Sequence, residues 1–130
     1  MIGYIFSQKF SISALRISLG IVYFWFGALK VAGYNPVYEI VYSTYPFFVS
    51  KSGNLILGAL EFAIGLGLLF NIFRHLTHLA LFLHLLGTFL VFFTAPELMF
   101  DPYFPILTLS GEFVFKNAVL ALAGLAVFAH

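Results

Sequence analysis

Five ionisable side chains lie within long apolar stretches of the sequence, where a charge is costly. They are Arg16, Lys30, Glu61, Glu112 and Lys116. Insertion scales assign about 2.5 to 3.5 kcal/mol to an Arg, Lys or Asp at the centre of a membrane-spanning helix. Because such residues rarely face lipid, each is expected to have a polar partner. Acids and bases gathered at this depth can bind a polar head group or pass protons.

The composition of the chain makes lipid its natural solvent. Of 130 residues, 62% are hydrophobic and 8% are charged, whereas soluble domains have roughly 25% charged residues. So few charges cannot cover a surface that faces water. The length predicts a single domain over residues 1–130. The net charge of +1 provides no basic surface for a polyanion, so nucleic acid is not an expected partner.

The absence of cysteine and the distribution of histidine limit the redox chemistry that the chain could perform alone. Without cysteine, disulfides and Cys-ligated metal clusters are excluded, so a redox role would need a bound cofactor or a partner. His84 lies near the middle of an apolar segment, and no other segment has a histidine at that depth. We therefore expect His84 to be a hydrogen-bonded core residue, and we expect neither a metal nor a haem.

Four apolar windows are long enough to cross a bilayer, which takes about 20 residues. They cover approximately residues 11–32, 53–73, 76–94 and 105–128. The tight turn "NIFRH" makes the second and third windows antiparallel. The link "APELMFDPYFP" before the fourth has three prolines and cannot be helical throughout. The sequence thus predicts an all-α integral membrane protein, an antiparallel bundle of four transmembrane helices.

The link between the first two windows has a helical pattern of its own. Asn35 followed by Pro36 is a helix-start signal. Tyr38, Tyr42 and Tyr45 then recur at i, i+4 and i+7, on one helical face. We predict a short helix in the membrane interface. Its tyrosines could belong to an aromatic belt or form a lid over a pocket.

Four of the five ionisable residues are predicted to lie in the outer half of the bundle. By helix rise, Glu61 lies about 12 Å, Glu112 about 10 Å and Lys116 about 16 Å from the outer ends of their spans. Lys30 lies near the outer end of the first span. Tyr23 shares its helical face with Lys30, since the two are seven residues apart. These positions predict a charge-balanced polar cluster of two acids and two bases.

Two interpretations of this cluster remain open. In the structural one, Glu112 and Lys116 form an i, i+4 ion pair, and Glu61 pairs with Lys30 to fix the packing register. In the functional one, the same groups line a cavity that binds a head group or passes protons. Lys30 could also extend outward to the interface, and Arg16 could do so at the inner surface.

The distribution of basic residues predicts the orientation in the membrane. With the N-terminus inside, Lys9, Arg74 and nearby Arg16 lie on the cytoplasmic side, against Lys51 and Lys30 outside. The side with more Lys and Arg in its short loops is normally cytoplasmic. Both termini are therefore predicted to be cytoplasmic.

Four segments together resemble the DoxX-like superfamily of small four-helix membrane proteins, in a branch that includes bacterial reactive-chlorine-resistance membrane proteins. They are "ALRISLGIVYFWFGALKV", "GALEFAIGLGLLF", "APELMF" and "LTLSGEFVFKNAVLALAGLAV". In such proteins an arginine and a lysine of span 1, an acid of span 2 and a lysine followed by Asn or Asp in span 4 recur. The resemblance maps these positions onto Arg16, Lys30, Glu61, Lys116 and Asn117.

The resemblance implies a prokaryotic cytoplasmic-membrane protein linked to redox metabolism or oxidative-stress defence. A first hypothesis is that the polar cluster binds a quinone or a similar lipid-soluble carrier. A second is a non-enzymatic scaffold or accessory subunit, whose charges fix helix packing or bind a partner in a homo-oligomer or redox complex. A third is a small proton-linked permease, which would need an oligomer because four helices leave little room for alternating access.

Overall fold

The computed structural model describes residues 7–34, Tyr45 and residues 51–129. Seven helices form this part of the chain: α1 (Gln8–Val31), α2 (Lys51–Phe70), α3 (Arg74–Phe89), α4 (Val91–Thr94), α5 (Pro96–Met99), α6 (Leu109–Phe115) and α7 (Asn117–Ala129). Within the same residues, the β-structure is one isolated bridge between Phe100 and Leu107. The all-α prediction is confirmed for the described part.

Within the residues that the structure describes, four stretches are long and apolar enough to cross a membrane, which agrees with the predicted number of spans. Spans 1 to 4 cover Gln8–Val31, Ser52–Phe70, Arg74–Thr94 and Leu109–Ala129. Span 3 consists of α3 and α4, and span 4 consists of α6 and α7. The predicted interfacial helix, with Tyr38 and Tyr42, lies outside the described residues.

Span 1 begins earlier than predicted because a serine caps it. The Ser7 hydroxyl accepts a hydrogen bond of 3.2 Å from the Phe10 amide, which satisfies one of the free N–H groups of the first turn. The helix therefore begins at Gln8. Serine is a common residue at the N-cap of a helix. The capping position of Ser7 therefore marks the start of the helix, whereas the apolar window alone predicted a start at residue 11.

Span 4 begins at Leu109, four residues later than the predicted start at Pro105. The chain between spans 3 and 4 folds back on itself, so that the Thr108 amide donates to the Met99 carbonyl over 2.8 Å. Thr108 then caps α6 by accepting from the Gly111 amide at 2.9 Å. Because this turn uses residues 100–107, they cannot begin the helix.

Spans 1 and 2 pack with their backbones in direct contact. A Cβ atom on Gly27 would lie 2.3 Å from the Phe62 amide nitrogen, and one on Gly65 would lie 2.3 Å from the Phe24 amide nitrogen. Small residues allow membrane helices to approach this closely. The side chains that flank the contact are therefore held at short range.

The buried core draws on all four spans. Its larger cluster contains Leu19, Tyr23, Ile64, Leu68, Leu81, Leu85 and Val127. A smaller cluster, made of Val91, Ala95, Met99 and Val114, lies where spans 3 and 4 meet the link between them. Many large apolar residues point outward instead, among them Trp25, Phe93 and Leu122. This inside-out distribution suits a bundle that is surrounded by lipid.

Candidate functional site

A buried ion pair joins spans 1 and 2. The Lys30 Nζ atom lies 2.8 Å from Glu61 Oε1, and both side chains are 5% exposed. The pair flanks the close helix contact, since a Cβ on Gly58 would meet Lys30 Cβ at 2.7 Å. The predicted Lys30–Glu61 pairing is confirmed. Lys30 does not extend outward to the interface.

The second carboxylate oxygen of Glu61 binds a histidine from span 3. His84 Nε2 lies 2.9 Å from Glu61 Oε2, and His84 Nδ1 lies 3.0 Å from the Tyr23 hydroxyl. We call Tyr23, Lys30, Glu61 and His84 the central network. His84 was correctly expected to be a hydrogen-bonded core residue, but sequence reasoning did not place it with Glu61.

A depth comparison could have indicated this partner. Counted from the turn between spans 2 and 3, Glu61 lies about 14 Å and His84 about 15 Å into the membrane, at 1.5 Å per residue. Two polar residues at equal depth on consecutive helices are candidates for contact. The relative rotation of the helices, which the count does not provide, decides whether they meet.

The hydrogen-bond directions in the central network are mutually consistent. An ionised Glu61 only accepts, so the Lys30 ammonium donates to Oε1 and the imidazole N–H at Nε2 donates to Oε2. His84 Nδ1 is then an acceptor for the Tyr23 hydroxyl. This assignment of the imidazole proton follows from the partners. The network has one positive and one negative charge, so it is electrically neutral within the bundle.

Arg16 lies apart from the central network, towards the other end of span 1. Its guanidinium donates to the carbonyls of Leu68 and, at 3.0 Å, of Leu69. The last carbonyls of a helix have no partner within the helix, so Arg16 satisfies the C-terminal end of α2. This contact explains an arginine in span 1 without a role in a binding site.

A second set of polar residues links spans 3 and 4. The Lys116 ammonium donates to Asn117 Oδ1 over 3.2 Å, and Asn117 Nδ2 donates to the Thr88 hydroxyl over 2.8 Å. Thr88 in turn donates to the Leu85 carbonyl at 2.6 Å. We call Thr88, Asn117 and Lys116 the Lys116 chain. Asn117, expected from the family resemblance, is its buried central member.

Spans 3 and 4 are both interrupted beside the Lys116 chain. Leu90 separates α3 from α4, and Lys116 separates α6 from α7. At each break the carbonyl accepts from the amides three and four residues on. The Leu90 carbonyl accepts from Phe93 and Thr94, both at 3.0 Å, and the Lys116 carbonyl accepts from Val119 at 2.9 Å and Leu120 at 3.2 Å. Neither break falls at a proline or glycine.

Tyr45 reaches the same region from the link between spans 1 and 2. Its hydroxyl donates to the Gly87 carbonyl over 3.2 Å, next to Thr88 in span 3. The other tyrosines of the predicted face, Tyr38 and Tyr42, lie outside the described residues. For Tyr45 itself, the contact places the side chain against the bundle.

The predicted ion pair between Glu112 and Lys116 is wrong. Lys116 turns towards Asn117 and the ring of Phe113, whose centroid lies 4.2 Å from Nζ. Glu112 is exposed and forms no ion pair with any described residue. Because α6 begins at Leu109, Glu112 lies in the first turn of the helix, about 5 Å from its start rather than 10 Å.

The predicted four-charge cluster is therefore divided in the structure. Lys30 and Glu61 lie together, whereas Lys116 belongs to a separate chain and Glu112 is outside both. Among the described residues, no group of three or more His, Asp or Glu side chains could hold a metal ion. The chemistry available to the central network is that of its acid, imidazole, phenol and ammonium groups, which can hold and transfer protons.

Comparison with known proteins adds no identification. No protein-family model, curated protein or solved structure matches the chain.

Proposed function

We propose that the protein is a multi-pass protein of a prokaryotic cytoplasmic membrane, linked to redox metabolism or oxidative-stress defence. In this proposal the central network exchanges protons with a quinone-like, lipid-soluble carrier. The observation that carries the proposal is the continuous series of hydrogen bonds from Lys30 through Glu61 and His84 to Tyr23. The resemblance of the four segments to DoxX-like proteins supports the link to redox metabolism.

The exposure of the side chains in the central network indicates which residue would meet the carrier. Lys30, Glu61 and Tyr23 are buried, whereas the His84 side chain is 15% exposed and is the most accessible member. Reduction of a quinone to a quinol consumes two electrons and two protons. We propose that a membrane oxidoreductase supplies the electrons. His84 first takes up a proton from water and becomes an imidazolium that Glu61 stabilises. The imidazolium then gives its Nδ1 proton to the carrier oxygen, which replaces the Tyr23 hydroxyl there, and returns to the neutral form, so that two such cycles supply both protons.

The proposed orientation has antiparallel spans with both termini in the cytoplasm. Contacts between spans 1 and 2 support the antiparallel arrangement, because Arg16 bonds the end of α2 while the Lys30 carbonyl accepts from Asn54 near its start, over 2.9 Å. The proposal also includes a short interfacial helix between spans 1 and 2.

A second candidate function is a scaffold or accessory subunit of a redox complex or homo-oligomer. It is favoured by the position of the Lys30–Glu61 pair beside the glycine contact of spans 1 and 2, where an ion pair would fix helix register. No contact described above favours a proton-linked permease.

The test is quinone binding by protein purified in mild detergent. We expect bound quinone in an organic extract, and saturable binding of an added short-chain quinone. Replacing His84 with Phe should weaken that binding at least about tenfold, which corresponds to 1.4 kcal/mol. A Ser18→Ala variant is the control, because Ser18 is exposed and its hydroxyl donates to the Ala14 carbonyl of its own helix.

Folding must be monitored in parallel, by helix content and by elution as a single species. If folded wild-type protein contains no bound quinone and does not bind added quinone, the proposal is contradicted and the scaffold or accessory-subunit function is favoured. Equal binding by folded wild-type and H84F proteins would remove His84 from the mechanism.

A further inference from the structure

The hydrogen bonds of the Lys116 chain all point from Lys116 towards the Leu85 carbonyl, and the Lys116 ammonium that begins the series is incompletely paired. An ammonium group only donates, and an amide oxygen only accepts, so every hydrogen bond from Lys116 to the Leu85 carbonyl has a defined direction. Lys116 has three N–H donors, and one of them is used by Asn117. The ring of Phe113 lies against the ammonium, and no described residue accepts from the other two donors. The half-buried ammonium therefore needs an acceptor, best an anion.

Glu112 lies one helical turn before Lys116 and needs a hydrogen-bond donor, whereas Lys116 needs an acceptor. Its carboxylate only accepts hydrogen bonds, it is exposed, and it has no ion-pair partner among the residues described. Residues four apart lie on the same helical face. Glu112 is nearer the start of span 4, and therefore nearer the membrane surface, than Lys116. The face thus has a negative group above a positive one.

Below the two charges the same face is apolar. Val119 and Leu122 continue it beyond Lys116 at successive intervals of three residues, and both side chains are exposed. A molecule bound at Glu112 and Lys116 would therefore lie with any hydrocarbon tail along this surface. Charges near the membrane surface and an apolar surface beneath them match the layout of a phospholipid.

We propose that Glu112 and Lys116 bind the head group of an aminophospholipid, with its phosphate on Lys116 and its primary ammonium on Glu112. The order of charges agrees, because in such a lipid the phosphate joins the glycerol and the ammonium projects outward. Asn117, held by Thr88, fixes the position of the Lys116 ammonium before the lipid arrives. The site lies outside the central network and does not depend on the proposed function.

Charge and hydrogen bonding favour this class of lipid over two others. A lipid with phosphate and no ammonium would leave Glu112 unpaired and would be repelled by it. A choline lipid has the phosphate and a positive charge, but its quaternary ammonium has no N–H to donate. Charge-assisted hydrogen bonds are the stronger kind, so the primary ammonium should be preferred to the quaternary one.

The experiment compares lipid binding by native mass spectrometry, with thermal stability in detergent as a second readout. The probes are phosphatidylethanolamine, phosphatidylcholine and phosphatidylglycerol with identical acyl chains. We expect the wild type to bind the ethanolamine lipid about tenfold more tightly than either of the others. E112Q should abolish the preference for ethanolamine over choline, and K116M should weaken binding of all three lipids.

Two matched variants control for charge alone. Glu97→Gln removes an exposed carboxylate at the same end of the molecule, and Lys9→Met removes an exposed lysine from span 1. Both should retain the wild-type lipid preference. Because E112Q alters an exposed residue, it should fold normally, so the proposal remains testable even if K116M is unstable.

Three outcomes would overturn the proposal. One is equal binding of the three lipids by the wild type, as expected if Glu112 and Lys116 pair with each other in the membrane. Another is an ethanolamine preference that survives in E112Q. The third is equal stabilisation by free phosphoethanolamine and by the lipid at the same concentration, which would assign the site to a water-soluble zwitterion instead.

Discussion

At the scale of single residues, the charges of this protein differ in how they are compensated. Lys30 and Glu61 neutralise each other out of contact with solvent, and His84 occupies the remaining carboxylate oxygen. Arg16 is satisfied by backbone carbonyls. Burying two charges is expensive, and their attraction offsets the cost only when the geometry is good and the remaining hydrogen bonds are made. The central network meets both conditions.

Removal of one member of the Lys30–Glu61 pair should therefore be worse than removal of both charges. We expect K30M or E61Q alone to lower the free energy of unfolding by about 3 to 5 kcal/mol, because each leaves an uncompensated buried charge. The K30M/E61Q double variant should be more stable than either single variant, since the introduced glutamine is neutral and its amide oxygen can still accept from His84. Reversible unfolding in mixed detergent and denaturant measures all three. Additive losses in the double variant would contradict this account.

At the scale of secondary-structure elements, close helix contact brings the buried charges within reach of each other. Gly27 and Gly65 place the backbone of each helix against that of the other. A long Lys side chain and a Glu side chain can then meet across the interface. Spans 3 and 4 meet differently, through the side-chain hydrogen bond between Asn117 and Thr88, beside an interruption in each helix.

The glycine contact predicts a position-dependent cost of adding one methyl group. Gly27→Ala and Gly65→Ala should each destabilise the protein by about 1 to 3 kcal/mol, the usual range for overpacking, because the new Cβ would meet rigid backbone. Gly124→Ala is the matched control, since its Cβ would lie 2.8 Å from the Leu81 Cδ2 methyl, which can rotate away. Thermal unfolding of the three variants distinguishes them. Equal losses would show that the backbone contact is not limiting.

The link between spans 3 and 4 depends on the hydroxyl of Thr88. Thr88→Val keeps the shape of the side chain but leaves the buried amide of Asn117 without its acceptor, which should cost about 1 to 3 kcal/mol. Thr88→Ser retains the hydroxyl and should stay within about 1 kcal/mol of the wild type. Unfolding free energies provide the comparison. If Val and Ser cost the same, the hydrogen bond contributes nothing to this contact.

At the scale of the whole molecule, the chain has the shape of a bundle whose polar groups are inside and whose apolar groups are outside. The buried polar residues include Lys30, Glu61, His78 and Asn117, while Trp25 is exposed. A protein with this distribution would aggregate in water and is suited to lipid. Its four spans place both ends of the described chain on one side of the membrane if each span crosses completely.

The natural absence of cysteine makes this topology directly measurable. Single cysteines introduced at Lys9, Asn71 and Tyr103 would each be the sole thiol of the protein. In inside-out and right-side-out membrane vesicles, a membrane-impermeant maleimide should label positions 9 and 71 from the cytoplasmic side and position 103 from the opposite side. Labelling of positions 9 and 103 from the same side would refute the crossing pattern. Labelling of all three in reversed sense would refute only the proposed orientation.

The number of spans and the need for internal partners could both be predicted from the amino-acid sequence. Both are local consequences of composition, because about 20 apolar residues suffice to cross a bilayer and each embedded charge requires compensation wherever it lies. The pairing of Lys30 with Glu61 was also predictable, since opposite charges occur on consecutive spans beside glycines. The start of span 1 could have been predicted from Ser7, which is a strong capping residue.

The identity of most polar partners depends instead on long-range packing. His84 joins Glu61 because spans 2 and 3 have a particular relative rotation, and a linear count of residues does not contain that angle. Glu112 leaves the predicted cluster because the turn over residues 100–107 delays the start of α6. Lys116 turns to Asn117 because Thr88, on another helix, holds that amide in place. In each case a contact between residues distant in the chain outweighed the local pattern.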